Sequence, residues 1–137
     1  MQTPRGLRVL VVEDHRESAE ALARSFREQG HEVAVAPDGP SALEAVRAAQ
    51  PDVVFLDILL PGIDGCEVAK DIHRLSAWRR PFLVALTGLD DERSQRRSQE
   101  SGIDLYLVKP VHPAMLHGLL RRFQVFFLDI GGFDPGI

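Results

Sequence analysis

The sequence predicts an α/β fold: a doubly wound parallel sheet of five strands with helices on both faces. Three observations lead there. Short apolar runs alternate along the chain with segments whose apolar residues recur at helical spacing. The central run, "VVFLD" at 53–57, lacks polar alternation, as in a strand buried on both faces. Each strand-like run then ends at or just before polar residues or turn chemistry.

Residues 7–12, "LRVLVV", form the first strand, and 15–30 a helix with Ala19, Leu22, Ala23 and Phe26 on one face and Gly30 as its stop. A second strand, 31–36, leads to a helix over 38–50 with Ala42, Ala45, Val46 and Ala49 inward. The third strand ends on Asp57, followed by turns at Pro61-Gly62 and Asp64-Gly65 and a helix over 66–75. After the fourth strand, 81–87, the stretch 90–102 reads as a helix without an apolar residue. It has to dock through Ser94, Ser98 and its ends, which places it at the low-stability end of the fold. Its Arg93, Arg96 and Arg97 offer a basic face to a partner. The fifth strand, 103–108, precedes a helix over 113–127 with Leu116, Leu119, Leu120, Phe123 and Phe127 at helical spacing. Repeated β-α units imply parallel strands joined by right-handed crossovers.

The 137 residues suffice for one domain with a proper core. It is expected over 6–122, after a leader at 1–5. Residues 123–137 hold the end of the last helix and a hydrophobic tail with four of the seven phenylalanines. Phe126, Leu128, Ile130 and Phe133 fall outside one helix face, and Gly131-Gly132 lets the chain reverse. A homodimer through the last helix and tail is the expected way to cover such a patch. Sixteen basic against twenty acidic residues give a net charge of −4, which argues against nucleic acid as a direct ligand. Cys66 is the only cysteine and forms no internal disulfide. With no apolar run of membrane-spanning length and no signal-peptide core, a cytoplasmic chain without membrane insertion is expected.

The strand ends bring the chemistry into view. They carry Glu13-Asp14, Asp57, Thr87 and Lys109. In an open doubly wound sheet, ligands bind beyond the carboxyl ends of the strands where the order reverses. If the order is 2-1-3-4-5, strands 1 and 3 lie about 5 Å apart and Glu13, Asp14 and Asp57 share one crevice. Such carboxylates repel unless positive charge sits among them. A hard divalent cation such as Mg²⁺, with its preference for oxygen, meets that need; Lys109 adds a fixed charge and Thr87 a hydroxyl. Plainer roles exist for each residue taken singly: Asp57 as a cap, Thr87 as a turn residue, Tyr106 as filler, and Cys66, Trp78 and the histidines as structural. His15 opens a helix.

Taken together, Glu13-Asp14, "LDILLPGIDG" around Asp57, "ALTG" with Thr87 and "YLVKP" with Tyr106 and Lys109 resemble the receiver domain of two-component response regulators across residues 6–122. The resemblance implies a flavodoxin-like sheet of order 2-1-3-4-5. It implies that Asp57 accepts a phosphoryl group from a histidine kinase or histidine phosphotransfer protein. A receiver is not a conventional enzyme, but it catalyses its own phosphorylation and dephosphorylation. Mg²⁺ would be held by Asp14, Asp57 and the Leu59 carbonyl, with Glu13 acting through water. Thr87 and Tyr106 would form the switch, working on the surface of helix 4, strand 5 and helix 5. The Lys109-Pro110 bond would be cis. Leu60 replaces the usual methionine and Val111 a frequent aromatic. Leu59 and Leu89 flank the path of a hydrolytic water and orient none, which implies slow self-dephosphorylation.

Rival classes fit less well. A flavodoxin-type electron carrier needs a hydroxyl-rich phosphate loop where Glu13-Asp14 stand, and a haloacid-dehalogenase-type phosphatase needs an aspartate at Leu59. A receiver that only mediates contacts would not need the full set of chemical residues. No output domain follows in the sequence, so a stand-alone receiver, a phosphorelay shuttle or part of a hybrid kinase is expected.

Overall fold

A computed structural model describes residues 5–60, 64–76, 80–88 and 91–129. The chain order is β1 Arg8–Val12, α1 Arg16–Glu28, β2 Glu32–Ala36, α2 Gly39–Ala49, β3 Val53–Asp57, α3 Gly65–Leu75, β4 Phe82–Thr87, α4 Glu92–Glu100, β5 Leu105–Val108 and α5 Pro113–Asp129. The sheet is parallel throughout, in the order β2-β1-β3-β4-β5. The expected topology is therefore observed, with the order reversing between β1 and β3.

Alternation along each strand divides the core in two. Leu10, Val12, Val54, Leu56, Leu83 and Ala85 pack with Ala42 and Val46 of α2 and with Val68, Ala69 and Ile72 of α3. On the other face Val9, Val11, Val53, Phe55 and Val84 meet Ala19 and Phe26 of α1 and Leu116 and Leu120 of α5. All five residues of β3 are buried, which accounts for its unbroken apolar run.

Side chains cap the helices: His15 accepts from the Ser18 N–H, Asp38 from Ser41, Asp64 from Cys66 and Asp91 from Ser94. Gly30, at φ 93°, turns the chain after α1. Among the described residues, no helix is long and apolar enough to cross a membrane.

Several expectations need correcting. β5 begins at Leu105 rather than 103, because the Ile103 N–H is taken by the Ser98 carbonyl at the end of α4. α5 runs to Asp129. Ala45 and Ala49 are half-buried, Ala45 packing against the core as its inward placement requires. α4 does lack apolar residues, but Ser94 spends its hydroxyl on the Asp91 cap at 3.0 Å. The helix instead turns Ser98 and Ser101 inward, 1% and 3% exposed, with the Ser101 hydroxyl donating to its own helix at the Arg97 carbonyl, and is tied to α3 by an ion pair from Arg97 to Asp64. Pro61-Gly62, Trp78, Leu89, Asp90 and the tail from Ile130 through Gly131-Gly132 and Phe133 lie outside the described residues, as do the side chains of Phe127 and Leu128.

At the amino ends of the strands, side chains extend the hydrogen-bonding of the sheet. His31 Nδ1 accepts from the Leu7 N–H at 3.1 Å, Asp52 from Arg8 at 2.8 Å and Asp104 from Leu83 at 2.8 Å. Arg80 grips Asp104 with two nitrogens, at 2.5 and 3.2 Å.

Burial, with a smaller contribution from His117, pushes the pKa of His31 below its usual value. An unfolded His31 protonates near pH ~6.5. As the pH falls past that point the unfolded chain binds more protons than the folded one, so stability is lost on acidification. His31→Leu should cost about 1–3 kcal/mol at pH 8 by orphaning the Leu7 N–H. It should also flatten the loss of stability between pH 7 and 5 in urea titrations. An unchanged pH slope would contradict this.

Candidate functional site

Register places the acids together. Val12 of β1 lies opposite Leu56 of β3, so Glu13 and Asp57 come next on adjacent strands. The Glu13 N–H donates to the Ala36 carbonyl at 3.0 Å, holding the chain extended one residue beyond β1. One carboxylate oxygen from each of Glu13, Asp14 and Asp57 lies within 4.8 Å of the others. Asp14 is exposed, whereas the side chains of Glu13 and Asp57 are only 14% and 9% exposed. Water thus screens the inner two poorly.

Lys109 answers this charge. Its Nζ lies 3.4 Å from Asp57 Oδ2 and 3.4 Å from Glu13 Oε2, dividing one ammonium between two carboxylates. It reaches there because its backbone N–H donates to the Thr87 carbonyl at 2.7 Å, tying the exits of β4 and β5 together. The Lys109-Pro110 bond that follows is cis, as expected. Burial draws the Lys109 pKa down, but the charges of Asp57 and Glu13 outweigh it and hold the ammonium above its ordinary value. Glu13 moves the other way from normal for a carboxylate: burial, then the neighbouring Asp57, raise its pKa against the pull of Lys109.

Asp57 Oδ1 accepts the Leu59 N–H at 2.9 Å, which fixes the carboxylate's orientation. Leu59 itself points outward, 56% exposed, at the rim. Thr87 is fully buried at the end of β4, on the sheet face of Leu83 and Ala85. Tyr106 is half-buried on that face, with Ala85 as its partner in the adjacent strand. Glu13, Asp14, Asp57, Thr87 and Lys109 therefore lie at or just beyond the carboxyl ends of their strands, whereas Tyr106 sits within β5. The donor set is entirely carboxylate oxygen, which suits a hard cation with retained waters and not a thiolate- or imidazole-seeking metal.

Two features were not read from the sequence. A Cβ at Gly65 would meet Ile58 Cα at 2.6 Å and the Asp57 carbonyl at 2.8 Å, so the start of α3 rests directly on the backbone of the acidic strand end. Asp64, taken for a turn residue, caps α3 through Oδ1 and pairs with Arg97 of α4 through Oδ2. The spacing Asp64-x-x-Glu67 is a capping signal that would have revealed the first of these roles. Arg97 gives no local sign of the second.

The profile of the response regulator receiver domain matches residues 9–121. The chain is 38% identical over 119 residues to the transcriptional regulatory protein TcrA of Mycobacterium tuberculosis, covering 87% of this chain and 46% of TcrA. It is 39% identical over 114 residues to the DNA-binding response regulator MtrA of Mycobacterium leprae, covering 83% and 49%. The chain thus spans about half the length of these curated relatives. Among solved structures, the BeF3-activated N-terminal receiver domain of RstA from Klebsiella pneumoniae superposes with a TM-score of 0.74 at 34% identity, over 84% of this chain and 96% of that one.

The crowding of carboxylates predicts a local instability. Glu13→Gln removes a poorly solvated charge facing Asp57, at the expense of one contact with a Lys109 side chain that is itself 42% exposed. The first effect is larger, since a partly exposed ion pair contributes little. With chelator present at pH 7, the variant should unfold at a higher urea concentration than the parent; a lower midpoint would show that the Lys109 pairing dominates.

Proposed function

Since the chain belongs to the response regulator receiver domain family, we propose that Asp57 is its phosphoacceptor, charged by a histidine kinase or histidine phosphotransfer protein. The convergence of Glu13, Asp14 and Asp57 within 4.8 Å beside Lys109 carries this reading. Asp57 ends a buried strand, yet one carboxylate edge faces the crevice, as a nucleophile requires. A carboxylate oxygen forms the new P–O bond while the P–N bond of the donor phosphohistidine breaks, its electron pair leaving on the imidazole nitrogen. Lys109 follows the transferred charge by offering its ammonium to a phosphoryl oxygen. The Leu59 N–H holds the carboxylate still during attack. Thr87 offers its hydroxyl to the phosphoryl group once bound, and the half-buried Tyr106 on the same face follows it.

Asp14, Asp57 and the Leu59 carbonyl are the proposed ligands of Mg²⁺, with Glu13 at one remove. The cation supplies charge neutralisation among the carboxylates and over the phosphoryl oxygens. We place the protein in the cytoplasm, where such donors are found. Two relatives have names that denote transcriptional regulation or DNA binding, so the acidity of this stretch says nothing about nucleic acid for a longer protein.

With Mg²⁺ and acetyl phosphate the protein should gain about 80 Da, held at Asp57 as an acid-stable, base-labile acyl phosphate. Asp57→Asn should gain nothing. Leu59 has no group to orient a hydrolytic water, so the label should decay over many minutes or longer; a lifetime of seconds would argue against it. Undiminished labelling of Asp57→Asn would refute the assignment.

A second surface supports self-association. Met115, Val125 and Phe126 of α5 are 52%, 54% and 56% exposed, on a helix whose Leu116, Leu120 and Phe123 pack into the core. We propose a homodimer through α5 and the tail. Light scattering should give a dimer at micromolar concentration, and Met115→Lys/Val125→Lys a monomer. A parent chain that is monomeric throughout that range would exclude it.

A further inference from the structure

Arg93, Arg96 and Arg97 of α4 follow helical spacing and fall on one face. With Lys70 of α3 they line a groove of about 300 Å³, completed by Glu100 and Ser101. Four cations and one carboxylate in that space stand out on a chain of net charge −4. Two of the cations already have partners: Lys70 pairs with Glu67 at 3.4 Å, and Arg97 with Asp64. Among the described residues, neither Arg93 nor Arg96 makes an ion pair within 4.0 Å, although the charge of Arg93 also acts on the neighbouring Asp91. A helix that is polar all round gains nothing from its own core and is suited to bridging toward another molecule.

We propose that the α3–α4 groove docks a carboxylate-rich segment of a protein partner, with Arg97 shared between that segment and Asp64. Arginine forks match carboxylates two nitrogens to two oxygens, which a cluster of three such residues can repeat along an extended acidic strand. A nucleic-acid backbone suits the groove less well. α4 is only about 13 Å long at 1.5 Å per residue, which matches a short acidic segment along its length but reaches only a few phosphates of a longer nucleic acid. Sharing Arg97 also links the groove to the acidic site. Asp64 caps α3, whose first residue, Gly65, sits against the backbone of Asp57 and Ile58.

The inference does not rest on phosphoryl chemistry, and the test needs no phosphodonor, so its failure would leave the phosphoacceptor reading standing. A fluorescein-labelled oligoglutamate peptide is titrated with the full chain at low salt and read by anisotropy. Arg93→Glu/Arg96→Glu should weaken binding by about tenfold or more. Arg24→Glu/Arg47→Glu, reversing two exposed charges on other helices, should leave it within about twofold. Asp64→Asn keeps the cap while releasing Arg97, and should tighten binding about two- to fivefold. Far-UV circular dichroism confirms that each variant is folded. Absence of peptide binding, equal losses in both charge reversals, or no tightening in Asp64→Asn would overturn the proposal. So would a single-stranded oligonucleotide that displaces the peptide and depends on the same two arginines.

Discussion

The structure is organised around like charges that are held close. β1 and β3 are buried and in fixed register, so Glu13 and Asp57 are held side by side, with Asp14 close beside them. Lys109 is the only cation that the described residues place against Asp57 and Glu13, and it stands 3.4 Å from each. Hydrophobic burial along the strands holds this charge in place, since core packing is far stronger than a partly screened repulsion. The raised pKa of Glu13 and the raised pKa of Lys109 are two expressions of the same confinement.

That confinement spreads outward through backbone contacts. The Lys109 N–H joins the ends of β4 and β5, and Gly65 seats α3 on the acidic strand end. From Asp64 the path continues to Arg97 and so to α4, which has no apolar grip on the sheet. A helix that buries serines where others bury leucines gains less from packing and shifts at a lower energetic cost. The element best able to respond to a change of charge at Asp57 is thus the one tied most lightly to it.

Much of this was legible in the sequence. Asp57 stood out because an unbroken apolar run has one place for an acid, its exit, and Glu13-Asp14 and Lys109 close their strands in the same way. Such signals are local, and the regular β-α alternation carried them into three dimensions. The pairing of Asp64 with Arg97 was not legible, because both residues lie on polar surface far apart in the chain, where hydropathy says nothing about partners. Ser94 misled for a related reason. It shares helical spacing with Ser98, but a neighbouring cap, Asp91, claims its hydroxyl.

The two ends of the sheet are built differently. At the amino ends, His31, Asp52 and Asp104 stitch side chains into the backbone ladder, and Arg80 clamps one of those stitches. The carboxyl ends carry the repelling acids. Side chains thus reinforce the ladder at the base of the sheet, whereas the carboxyl ends rely on backbone ties such as Glu13 to Ala36 and Lys109 to Thr87, which leaves their carboxylates turned toward the crevice.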